Sequence, residues 1–280
     1  MYAVPKELDA ELVDVQAATR LRPYLRQLWS RLDYAWYVAD SELRQRQIAT
    51  LFGSLWHLLN PILSIAVYYV IFGLVLETDR GVDNFVAFLA VGLFVFQYTQ
   101  RSVTHGSASI VSNRGLVQAI HFPRALLPIS SALTETLAAI PTFVVAGVVA
   151  LALGEPLTWR WLVFPAIFLA QAVFNLGCSF VSARLTTHFR DTQQLLPFFF
   201  RLLLYGSGVL FSVEAYLNER QLRLLVALNP IFDFIELARW SLLGRDVDAG
   251  VVVSAAVWTF IAFVGGFLWF RSGEHAYSRV

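Results

Sequence analysis

Residues His121–Leu151 read HFPRALLPISSALTETLAAIPTFVVAGVVAL, and the fold turns on how that stretch is read. From about Leu127 to Leu151 the only ionisable side chain is Glu135. An apolar helix needs about 20 residues to cross roughly 30 Å of hydrocarbon, and this run is long enough. In front of it, HFPRALLP places a histidine, two prolines and an arginine between this run and another apolar run upstream. Proline stops a helix and arginine marks a membrane boundary, so the element reads as a short, bent, basic connection between two spans.

The same pattern recurs along the chain. Apolar runs cover about Leu55–Leu76, Phe85–Val103, Leu127–Leu151, Trp161–Leu185, Leu195–Phe211 and Val251–Phe270, which predicts six spans. The chain is 57% hydrophobic, above the roughly 45–50% of a soluble domain, and 15% charged, below about 25%. That excess is lipid-facing surface rather than core. The net charge of +1 gives no ground for a nucleic-acid partner. The single cysteine, Cys178, excludes an intrachain disulfide and reads as a small buried hydrophobe.

With the N-terminus inside, fourteen Lys and Arg residues fall on inner segments and six on outer ones, the latter Arg80, Arg160, Arg220, Arg223, Arg239 and Arg245. The cation bias therefore puts both termini in the cytoplasm and HFPRALLP with them. Residues 1–54 carry charges throughout and lack the apolar core of a cleaved signal, so they read as a cytoplasmic segment that is retained. Within them, Leu25, Leu28, Trp29, Leu32 and Trp36 recur at helical spacing, as do Ile48, Leu51, Phe52 and Leu55. These predict two amphipathic interface helices, about 25–36 and 42–55. Residues 55–270 form the membrane domain and 271–280 a cytoplasmic tail. Between the fifth and sixth spans, about 212–246 is too apolar for a free loop and too interrupted for two spans. It reads as a re-entrant helical pair followed by a short amphipathic helix with Asp233, Glu236 and Arg239 on a polar edge.

Several chemistries are missing. A nucleotide-binding P-loop needs a lysine after its glycines, and the only lysine is Lys6, preceded by MYAVP. No HExxH, CxxC, GxSxG or aspartate-rich metal motif occurs either, so neither a catalytic residue nor a metal site is assigned. Two charges stand inside the predicted spans, Glu135 and Arg201, both roughly 10 to 14 Å deep from the inner side. A mid-membrane charge costs about 2.5 to 3.5 kcal/mol, which calls for a partner; mutual pairing is one expectation and snorkelling of Arg201 to the headgroups the other. Aromatic groups, with Tyr68, Tyr69 and Phe72 in the first span and Phe198, Phe199 and Tyr205 in the fifth, offer faces that tolerate the C–H faces of sugar rings. For any one of them taken singly, ordinary packing is the favoured reading.

The stretches ELRQRQIATLFGSLWHLLNP, VQAIHFPRALLPIS, ARLTTHFRDTQQLLP and LNPIFDFIELARWSLL occur in this order, and together they resemble the permease subunits of ABC exporters of lipid-linked polysaccharides. The most specific parts are Phe122, Pro123, Arg124, Leu127 and Pro128, and Phe189, Arg190 and Asp191. The resemblance implies an all-α polytopic membrane protein of six transmembrane helices per protomer, with N-terminal interfacial amphipathic helices. It also implies a homodimer, two copies of a separate P-loop ATPase that holds the ATP and Mg, a cytoplasmic coupling helix and outer re-entrant gate helices. The coupling helix falls at about 112–120, with Asn113 as cap, Arg114 as a charge, and Leu116, Val117 and Ile120 as the apolar face, flanked by Phe122 and Arg124. Arg44, Arg46 and Arg201 become candidates to meet a diphosphate. The reading that follows is export of a polyprenyl-diphosphate-linked glycan across a bacterial inner membrane, with a cell-wall galactan among the admissible cargoes. An exporter of drugs or small lipids on the same fold, and an intramembrane glycosyl or lipid transferase, are the competing readings.

Overall fold

The computed structural model describes residues 21–48, 56–75, 82, 84–120, 122–213, 218, 221, 224, 228–274 and 277. Among them the chain is helical, without a strand. The elements are α1 (Leu21–Trp29), α2 (Leu32–Ile48) and α3 (Trp56–Tyr68), the last continued by a π-helical stretch, Tyr69–Val75. Then come α4 (Phe85–Ser112), α5 (Arg114–Ala119), α6 (Leu126–Ala152) and α7 (Phe164–His188), the last entered through a 3₁₀ turn at Trp159–Val163. The chain closes with α8 (Thr192–Gly206), α9 (Pro230–Leu243), α10 (Ala249–Phe260), a π turn at Ile261–Gly265, and α11 (Gly266–Ser272).

Among the described residues, four helical stretches are long and apolar enough to cross a membrane: 85–112, 126–152, 159–188 and 249–272. They coincide with the predicted second, third, fourth and sixth spans, although α4 runs nine residues beyond the expected end at Val103. The first predicted span has a shorter apolar helix, Leu59–Val75. The fifth does not reach its expected end at Phe211: α8 has 15 residues, about 22 Å at 1.5 Å per residue, short of the roughly 30 Å hydrocarbon thickness. Gly208, with φ of +62°, takes the backbone out of the helical region just after it.

α4 is the axis of the bundle. Of its most apolar window 78% is buried, against 17% for the 249–272 stretch, so α4 is surrounded by protein while α10 and α11 lie at the perimeter. α6 and α7 pack along α4, and α9 crosses it. Lipid provides no hydrophobic drive between helices, so close approach and hydrogen bonds hold such interfaces. Gln171 on α7 donates to the Val95 carbonyl at 2.9 Å and to Thr99 Oγ1 at 3.0 Å. Ser179 and Ser182 donate to the carbonyls of Ser102 and Val103 at 3.0 and 3.2 Å. On the other side of α7, a Cβ on Gly177 would stand 2.3 Å from the Ala262 carbonyl carbon, so glycine is what brings the π turn onto α7.

α9 departs from the expected polar-edged helix. Asp233 and Arg239 are buried, Arg239 at 1% exposure. Its guanidinium lies 3.3 Å from the Phe88 ring centroid, donates to the carbonyls of Gly208, Val209 and Phe88, and meets Glu236 at 2.9 Å. Buried charge survives when its donors are used, and here they tie the backbone after α8 to α4. Asn229 completes the joint: its side-chain oxygen caps α9 through the N–H of Ile231 and Phe232, while its amide donates to Ser207 Oγ at 2.9 Å. Most of residues 214–227, where the re-entrant pair is expected, lies outside the described residues.

The amphipathic N-terminal segment is also divided differently. A break at Ser30–Arg31 separates α1 from α2, and α2 continues through 36–42, where two separate helices are expected; residues 49–55 lie outside the described ones. Tyr24 and Leu28 join Val117, Leu126, Phe180, Phe270 and Tyr277 in a second core at the α5 end of the bundle. Trp29 and Trp36 point outward, as interfacial residues do.

Candidate functional site

Four residues on α2 share one helical stripe: Ala35, Ala39, Glu42 and Arg46. The two alanines are fully buried, and their small side chains let α2 lie close along α6. The same stripe then delivers Glu42 and Arg46 to the groove between α4 and α6. Arg46 Nη2 donates to Glu135 Oε1 at 2.8 Å and to Glu42 Oε1 at 3.1 Å. His105 on α4 closes the ring, Nε2 at 2.9 Å from Glu42 and Nδ1 at 3.2 Å from Glu135. Both ring nitrogens thus face carboxylates, and an imidazole carrying both protons donates to each. Thr134 adds a hydroxyl to Glu42 at 3.3 Å.

The electrostatic consequence falls on α2. The hydrogen bond from His105 holds the Glu42 carboxyl down at about 2, against a burial that works the other way. Burial opposes the Arg46 charge, yet the carboxylates of Glu135 and then Glu42 outweigh it and raise the guanidinium further.

Glu135, a carboxylate with 6% of its side chain exposed, therefore has its cation, and that cation is Arg46 rather than Arg201. Arg201 is on α8, exposed, with its guanidinium 5.8 Å from the Phe198 ring centroid. The pairing expected for these two residues is not made; the partner comes from a cytoplasm-assigned segment 89 residues earlier in the chain. Arg44 is exposed and pairs with Asp40 at 2.8 Å.

Above the ring opens a cavity of 1060 Å³, lined by Arg46, Trp56 and Asn60, by Gln97, Gln100, Arg101, Thr104 and His105 of α4, and by Glu135 of α6. Its volume is of the size of ligand sites. Of the six aromatic residues proposed to guide a glycan, none is among those lining it. Tyr68, Tyr69 and Phe72 are half-buried against the main core, Tyr68 and Phe72 stacked at 6.2 Å. Phe198, Phe199 and Tyr205 are exposed on α8, while Phe200 turns inward, edge-on to Phe96 at 6.1 Å.

The connection between α4 and α6 is a helix as expected, but shorter, Arg114–Ala119. Asn113 marks the bend without capping α5 by its side chain; its amide donates instead to the Ser109 carbonyl of α4 at 2.8 Å. Arg114 is half-buried. The apolar face divides: Val117 is buried in the second core, Leu116 and Phe122 pack partly against it, and Ile120 is exposed. Arg124 is held by the tail. Its backbone N–H donates to Glu274 Oε1 at 2.6 Å, its guanidinium to the Glu274 carbonyl, and Tyr24 donates to the same carboxylate at 3.3 Å. Burial pushes the Glu274 carboxyl up, and the Arg124 N–H offsets part of that.

Sequence reasoning missed His105, Glu42, Arg101 and Glu274. His105 and Arg101 sit in the polar continuation of α4 that the apolar run did not include, and the 35–39–42–46 stripe was the available sign for Glu42.

An axial helix with apolar, span-length helices packed around it, a cavity with polar side chains in its wall beside it and a short helix hung between two of them are features of a multi-pass membrane protein. The chain belongs to the ABC-2 type transporter family, whose profile matches residues 35–243. It is similar to the O-antigen export system permease protein RfbA of Myxococcus xanthus, 29% identical over 194 residues, covering 69% of this chain and 74% of that protein. A Klebsiella pneumoniae protein of the same name is 27% identical over 200 residues, 71% of this chain and 75% of its own. The polysialic acid transport protein KpsM of Escherichia coli is 23% identical over 247 residues, 82% of this chain and 92% of that protein.

Proposed function

We propose that the chain is the permease of an ABC exporter that carries a polyprenyl-diphosphate-linked polysaccharide across the inner membrane, with a cell-wall galactan one candidate cargo. The observation that carries the reading is the 1060 Å³ polar cavity between α3, α4 and α6, set in a family fold whose relatives are named for O-antigen and polysialic acid transport. A polar cleft between spans is costly unless something polar passes. Two protomers, each completed to six spans by α3 and α8, work with two ATPase subunits that hold ATP and Mg, since this chain has no P-loop lysine. Both termini lie in the cytoplasm. The aromatic faces of Tyr68, Tyr69, Phe72, Phe198, Phe199 and Tyr205 serve the glycan, and 212–246 forms the outer gate.

α5 docks in the ATPase, with Ile120 and Arg114 as contacts. Val117, Leu116 and Phe122 anchor it to the bundle, and Arg124 fixes the elbow through Glu274. Depleting the chain in cells tests the reading: the glycan accumulates inside and disappears from the surface. Unchanged surface glycan would refute it.

A further inference from the structure

Two arginines line the cavity beside α4, Arg46 and Arg101, and they are held differently. Arg46 is committed to Glu135 and Glu42 at 2.8 and 3.1 Å, so two carboxylates meet it and His105. Arg101, also in the lining, is different. Its hydrogen bond is to Gln97 Oε1 at 3.4 Å, and among the described residues it makes no ion pair. Arg101 is exposed toward this cavity, and with Glu135 it also lines a small second pocket between α4 and α6, so the two side chains stand at one level of the bundle. A guanidinium that opens on a cavity between spans without a carboxylate calls for an anion or water. The amides of Asn60, Gln97 and Gln100 share the same wall and supply further donors.

The geometry points to a phosphate-binding subsite in this cavity, in which Arg101 takes the phosphate oxygens of a lipid headgroup and the Asn60, Gln97 and Gln100 amides complete their coordination. The inference rests on the exporter reading above and places the charged end of its cargo. A guanidinium presents its N–H groups in a fork that matches two phosphate oxygens, which an ammonium does not. The Glu42–Arg46–His105–Glu135 ring forms the floor. It fixes α2, α4 and α6 around the subsite, and its own charges are largely spent on one another. Arg46 is therefore a positioning residue here, and Arg101 the contact.

The phosphate belongs either to a prenyl diphosphate or to bulk anionic lipid, and the test separates them. The purified full chain in phosphatidylcholine nanodiscs is titrated calorimetrically with farnesyl diphosphate, farnesyl monophosphate and farnesol. Wild-type chain binds the diphosphate more tightly than farnesol; Arg101→Gln loses about tenfold of the diphosphate affinity and none of the farnesol affinity. Arg101→Lys keeps part of it, and Arg31→Gln, outside the cavity, keeps all. Unfolding temperatures of the variants, equal to wild type, confirm that they fold. Adding phosphatidylglycerol to the nanodiscs displaces the probe if bulk lipid fills the subsite and leaves it bound if the prenyl diphosphate does. Equal diphosphate affinity in folded Arg101→Gln overturns the subsite. Loss of binding in that variant, alongside a wild-type complex that exports no glycan, keeps the subsite and removes the exporter reading; export with undiminished binding by Arg101→Gln does the reverse.

Discussion

At the residue scale, Glu135 is a carboxylate in a membrane span with 6% of its side chain exposed, and what it costs depends on Arg46 and His105. Removing one partner of such a pair leaves the other uncompensated. Glu135→Gln is expected to cost about 2 kcal/mol, at the lower side for a buried pair because Arg46 is partly wet. Arg46→Gln combined with it costs less than the sum of the two single changes, as a double-mutant cycle of thermal unfolding in detergent checks. Glu42 contributes to the acid side of the pH response. Its folded carboxyl lies at about 2 against an ordinary 4.5, so its contribution is complete above about 4.5 and is lost as pH falls toward 2. Below pH 4.5 the unfolding temperature falls with decreasing pH, and Glu42→Gln flattens that part of the profile. None of this pairing was legible in the sequence. Glu135 showed itself as a charge in an apolar run, but its partner lies 89 residues away, on a segment read as an amphipathic interface helix. Amphipathic periodicity finds two faces; it does not tell which is inward when the interior contains a wet cavity.

At the scale of elements, helix contacts without a hydrophobic drive depend on small residues. Gly177→Val is expected to part α7 from the π turn at Ile261–Gly265, because the new Cβ would lie 2.3 to 2.5 Å from backbone atoms of Ala262 and Phe263, which cannot rotate away. A loss of about 1 to 3 kcal/mol in thermal unfolding is the measurable result. The elbow gives a second prediction. With Glu274→Ala, Arg124 and Tyr24 lose their common acceptor, α5 loses its fixed angle, and less ATPase co-purifies with the chain while the spans stay folded. Apolar runs made α4, α6, α7 and the 249–272 stretch legible to within a few residues at most ends. α8 was overextended because Val209, Leu210 and Phe211 are apolar, yet they follow the left-handed Gly208 and pack against the core outside the helix. α9 was read as a short amphipathic helix because Asp233, Glu236 and Arg239 fall on one side. The acceptors that make Arg239 tolerable there are backbone carbonyls, which no side-chain pattern displays.

For the whole molecule, the proposed function couples the cavity beside α4 to the elbow at α5, on which a separate ATPase would act. The axial α4 is common to both: it carries Arg101 and His105 on the cleft and leads directly into Asn113 and α5. A displacement of α5 therefore reaches the cleft through one continuous helix. The direct test is translocation in vesicles that contain the chain with its ATPase, loaded on one face with a lipid-linked glycan and probed with a glycosidase on the other. The account predicts that the glycan becomes cleavable only with ATP and only when both proteins are present. Cleavage that is equally fast without ATP, or with this chain alone, would contradict it.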